Sequence, residues 1–293
     1  MDLDNLILNS KTSDLIVAIL ESSSLENRFL ERARITPLER IPNSDITINY
    51  FDLLYQARLS RFDFTGALEC CLEFIYNIPS YLASGDITLE SAHAIISTIV
   101  DYHHKIINIL HEHPDTSCRL PRVHNRGQCR EYDLIIIKSL VSHEDINKSL
   151  TNFTARLHLI EDPSFKELEI LKSVYNYKQI GEQLIRFDLV ADFSALANSY
   201  PEIFNDLAEL LAEKYLLNRS SAIISCIDGI RSHINPYIIF LNALLNIDSQ
   251  SDIMEVVSWC CKNINNSLVL KTLHAHSRQD LLEKWEDIKE REI

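Results

Sequence analysis

The sequence predicts an all-α chain, built as an irregular α-solenoid of stacked helical hairpins. Three observations predict it. Apolar residues recur at spacings of three and four along most of the chain, which is the period of an amphipathic helix. Glycine and proline are scarce, five and eight in 293 residues, as suits helices joined by short turns. Strict apolar–polar alternation, the mark of a half-buried strand, is rare. No fixed repeat length recurs, so the stack is expected to be irregular.

Residues 15–20 and 25–34 read as two short helices, the second opened by Ser24. Pro37 and Pro42 mark an irregular connection. Residues 46–60 form the next helix, with Phe51, Leu54, Tyr55, Leu59 and Phe62 on one face at helical offsets. After a turn at 61–63, Asp63 caps a helix running to 84, its carboxylate accepting first-turn N–H groups. Gly66 and Ala67 have almost no side chain, so the two arms can lie close together. Pro79 is expected to kink or end the second arm. Gly85 reads as a C-terminal cap and Asp86 or Thr88 as the next N-cap. The helix 88–112 carries one stripe of Ile95, Ile96, Ile99, Val100, Ile106, Ile107 and Leu110.

Residues 114–130 hold prolines, Gly127 and several arginines without apolar period, and read as an exposed loop. The run at 134–137 is extended or helical. Helix resumes over 144–160, and Pro163 starts another over 165–175. Residues 177–186 and 189–200 form a second hairpin. Pro201 opens a strong helix that presents Ile203, Phe204, Leu207, Ala208, Leu211 and Tyr215. Helices over 220–231, 236–247, 252–262, 268–276 and 279–291 complete the chain. The organisation expected is therefore helical hairpins over 1–113, the loop 114–130, and helical hairpins over 131–293.

The net charge of −14 disfavours a broad basic face for nucleic acid or anionic membrane. No apolar run approaches the ~18 residues of a membrane span. The first residues are acidic where a secretory signal is basic. Seven cysteines include the adjacent pairs Cys70–Cys71 and Cys260–Cys261, whose side chains diverge on a helix. They read as reduced, mostly buried thiols of a nucleocytoplasmic protein.

The zinc-protease and phosphate-loop patterns are missing. His111, His113, Cys118, His124 and Cys129 gather around the loop but lack the paired spacing of zinc sites, and read as ordinary loop residues. His103 and His104 read as solvated or partly buried helix histidines. No catalytic residue, cofactor, metal or small-molecule substrate is expected. Trp259 and Trp285 stand near the C-terminus, and Leu281, Leu282, Trp285 and Ile288 share one face of the last helix. These five residues either meet a partner or cap the stack from within.

The stretch 49–68 carries a resemblance. It is similar to the α-helical region of the large Y-complex nucleoporin family, the 120-kDa protein of yeasts and 160-kDa protein of animals. There a helix of the form Asn-Tyr-Tyr-x-Leu-Leu-Tyr runs into Arg-x-Asp/Asn-Tyr-Arg-x-Ala. Asn49, Tyr50, Phe51, Leu53, Leu54 and Tyr55 match the first part. Arg61, Asp63, Phe64 and Ala67 match the second, with Phe for Tyr at 64 and Thr65 where Arg is usual. Residues 25–34 resemble the short helix before the motif, and 180–214 a later helical unit of the family.

The resemblance implies a scaffold subunit of the nuclear pore outer ring, at the nuclear envelope, bound to other helical nucleoporins. It implies no direct contact with nucleic acid and no membrane insertion. Family members also carry an N-terminal β-propeller, which these residues do not supply. The chain is then a fragment, or a short or split homologue. The alternatives are a generic α-solenoid adaptor, of the vesicle-coat or proteasome-lid kind, and an all-helical enzyme.

Overall fold

The computed structural model describes residues 6–7, 11–36, 38–40, 47–84, 88–113, 143–172, 176–231, 235–247 and 253–291. Apart from one short ribbon, every described element is a helix, so the all-α expectation is met. The chain forms two compact units, Met1–Leu157 with Lys166–Val174, and His158–Phe165 with Tyr175–Ile293. The expected loop at 114–130, the run at 134–137, and Gly85 and Asp86 lie outside the described residues.

The first unit opens with α1 (Thr12–Glu21) and α2 (Ser23–Ile35). Ser22, not Ser24, caps α2: its hydroxyl accepts the Leu25 N–H at 3.4 Å. The ribbon follows, with β1 (Leu38–Arg40) antiparallel to β2 (Thr47–Asn49) and Glu39 opposite Ile48. The helix expected from 46 therefore begins later, as α3 (Tyr50–Ser60). Thr47 and Ile48 are β-branched and favour extended backbone. Asn49 then caps α3, accepting the Asp52 N–H at 3.1 Å.

The turn into α4 (Phe64–Ser84) is a Schellman motif. The Phe62 N–H donates to Leu59 at 2.9 Å and the Asp63 N–H to Arg58 at 2.9 Å, with Phe62 left-handed at φ 58°. The sequence puts Phe62 on one helical face with Phe51, Leu54, Tyr55 and Leu59, but its ring is 79% exposed. The helical screw stops at Ser60, and the left-handed residue turns the ring outward. α4 continues through Pro79 to Ser84, so the proline does not end the arm.

Thr88 caps α5 (Leu89–Glu112), accepting the Ser91 N–H at 3.2 Å. Its buried stripe is Ala92, Ile95, Ile96, Ile99, Tyr102, His103, Ile106 and Ile109. Val100, Ile107 and Leu110 are only half-buried on the flank, contrary to expectation. α6 (His143–Glu161) follows, and the expected helix 165–175 shrinks to α7 (Leu168–Lys172). Pro163 sits in a turn instead. The Asp162 carbonyl accepts the Phe165 N–H at 3.0 Å and its carboxylate the Ser164 N–H at 2.8 Å.

The second unit contains α8 (Tyr177–Arg186), α9 (Val190–Ser199), α10 (Pro201–Asn218) and α11 (Ser221–Asp228). It continues with α12 (Pro236–Ile247), α13 (Met254–Asn263), α14 (Asn266–Ala275) and α15 (Gln279–Arg291). All six residues expected on the inner face of α10 are buried. The α8–α9 and α14–α15 turns repeat the Schellman geometry, with Asp188 at φ 63° and Ser277 at φ 56°. Within each unit, most helix pairs in contact are next or next-but-one in sequence, and in the first unit α4 also meets α7, three helices on.

Candidate functional site

The Tyr-rich hairpin is the best-built cluster in the first unit. Tyr50 is fully buried, its ring centroid 5.9 Å from that of Phe29. Phe51 meets Phe74 edge-on at 5.8 Å, and Phe74 stacks on Tyr102 at 4.2 Å. Leu54 and Ala67 are fully buried between the arms. The side chain of Asn49 serves twice, as the α3 cap and as acceptor of the Tyr102 hydroxyl at 3.3 Å. Motif residues on α3 thus meet α2 and α4 through aromatic contacts, and Phe74 of α4 carries the stack on to Tyr102 of α5.

Charged groups close the same cluster. Glu26 of α2 accepts Arg58 Nε at 2.9 Å and Arg61 Nη1 at 2.5 Å. Arg61 also donates to the Ile19 and Leu20 carbonyls at 2.7 and 2.8 Å, satisfying the C-terminal end of α1. Arg58 reaches the Gly66 carbonyl at 2.7 Å. Burial pushes the Glu26 carboxyl up, but the two guanidinium groups outweigh it and hold its pKa below the ordinary value. Arg34 makes a bidentate pair with the buried Glu73, at 3.0 and 2.6 Å.

Asp63 caps α4 as expected, its carboxylate accepting the Gly66 N–H at 2.9 Å. Phe64 stacks on His113 with centroids 3.6 Å apart. Tyr55 is buried beside Lys105, whose Nζ stands 4.9 Å from the Tyr55 ring, 4.4 Å from the Tyr102 ring and 2.6 Å from Asp52 Oδ1. Burial, with Cys71 and Asp52 nearby, pushes the Tyr55 phenol up to about 12.

The two described thiols of this unit are held neutral by burial. Burial pushes the Cys70 thiol up to about 12 and the Cys71 thiol well above its ordinary range, so neither is a thiolate at neutral pH. His103, expected to be solvated or partly buried, is fully buried. Its Nδ1 lies 2.8 Å from the Ile99 carbonyl and its Nε2 2.8 Å from Ser149 Oγ. A carbonyl only accepts, so Nδ1 carries the proton and the serine hydroxyl donates to Nε2. Burial lowers the His103 pKa to about 4. Among the described residues no group of acids, histidines and cysteines is placed to hold a metal ion.

The C-terminal residues are placed separately, in the second unit. Trp259 is half-buried against Tyr237 at 4.9 Å and Phe240 at 6.4 Å. Leu281 and Leu282 are buried, so neither offers a free surface. Trp285 is half-buried and donates a hydrogen bond to Cys261. The Ile288 side chain lies outside the described residues. The apolar face of α15 is thus spent largely inside its own unit, against α13 and α14.

Sequence reasoning brought together the eight motif residues Tyr50, Phe51, Leu54, Tyr55, Arg61, Asp63, Phe64 and Ala67 in one hairpin. It missed Glu26, Arg34, Arg58, Glu73, Tyr102 and Lys105, whose partners lie tens of residues away and leave no periodic signal. No described helix is long and apolar enough to cross a membrane. No family model matches the chain, and neither a curated protein nor a solved structure matches it.

Proposed function

We propose that this chain is a scaffold subunit of the Y-shaped complex of the nuclear pore outer ring. Its stacked helical hairpins, an irregular α-solenoid, bind other helical nucleoporins by surface complementarity. The observation that carries the reading is Glu26. The helix before the motif and the motif itself were picked out separately in the sequence. One carboxylate joins them, accepting from both Arg58 and Arg61. The largely sequential packing of helices within each unit, most of them against the next or next-but-one, supports the solenoid. The raised pKa values of the described thiols and the neutral His103 suit a chain whose chemistry is packing.

The test is co-purification with the helical Y-complex nucleoporins of the source organism, by size exclusion with light scattering. The expected outcome is a stoichiometric complex, heavier than the chain's own 33.8 kDa by the mass of one partner. A chain that keeps its own mass with every one of them would sink the reading in favour of a generic adaptor. Substituting Leu282 would not report on a partner contact, since that side chain is buried in its own unit and its truncation destabilises the packing there.

A further inference from the structure

We draw no further inference here: the strongest candidate, the outer face of α10 where Glu202, Asp206, Glu209 and Glu213 line up with the 82% exposed Leu217, carries nothing because it is an acidic row with one apolar end and nothing in the structure shows what covers it.

Discussion

His103 shows how one side chain can carry a pH dependence for the first unit. It is fully buried on α5, donating to the Ile99 carbonyl and accepting from Ser149 on α6. Burial holds its folded pKa at about 4, whereas an unfolded histidine titrates near ~6.5. Between those values the unfolded chain binds a proton that the folded chain refuses. Stability therefore rises with pH across that window, and falls on acidification from about 6.5 to about 4. The full span is of order 3 kcal/mol for this one group. Urea midpoints measured from pH 4 to pH 8 should show this slope, and His103→Gln should flatten it by about one proton. Identical slopes in the two proteins would mean that the histidine is hydrated in solution. The residue was misread in sequence because a histidine breaks an apolar stripe by name, while its ring fits the same space as its isoleucine neighbours.

The hairpin of α3 and α4 rests on the fit between its arms. A Cβ on Gly66 would stand 2.1 Å from Asp63 Oδ2, 2.8 Å from its Cγ and 2.9 Å from Arg58 Cδ. Neither neighbour can retreat without loss, because Asp63 caps α4 and Arg58 is held by Glu26 and the Gly66 carbonyl. Gly66→Ala gains at most ~1 kcal/mol of helix propensity, less at a first-turn position. It loses ~1 kcal/mol from the cap and more from the displaced arginine. A net destabilisation of ~1–2 kcal/mol is expected in urea unfolding. Asp63→Ala removes the same cap, so the Gly66→Ala/Asp63→Ala double variant should cost less than the two singles added together. Strict additivity would show that the two residues act separately. This hairpin was legible in sequence because capping and small residues announce a turn locally. The elements from Tyr177 onward were legible for similar reasons, with Pro201 and Pro236 marking helix starts. What escaped were places where a local signal had two outcomes. Pro163 made a turn, Pro79 was carried within α4, and Thr47–Asn49 paired as a strand. The Glu26 bridge escaped for another reason. Nothing in a linear sequence ties residues 32 and 35 positions apart.

At the scale of the whole molecule, the buried cysteines report on the two units separately. Cys70 and Cys71 lie in the first unit, and Cys226 and Cys260 in the second, all as free thiols. Burial pushes the Cys70 and Cys226 thiols up to about 12 and those of Cys71 and Cys260 further still. A disulfide reagent is attacked by the cysteine thiolate, which displaces one of the reagent's sulfurs, so none of the four thiols should react in the folded chain near neutral pH. Each reacts only when its surroundings open, and its labelling measures the opening free energy of its own unit. Chains with two compact units commonly depart from all-or-none unfolding. Labelling in a urea series, read cysteine by cysteine by mass spectrometry, should show Cys70 and Cys71 becoming reactive together. Cys226 and Cys260 should also become reactive together, at a different urea concentration. All four sharing one midpoint and one slope would make the chain a single cooperative block, and a surface perturbed in one unit would then be felt in the other. Two midpoints would mean that the Tyr-rich hairpin can be altered without disturbing the C-terminal helices, so that surfaces of the two units could be dissected independently.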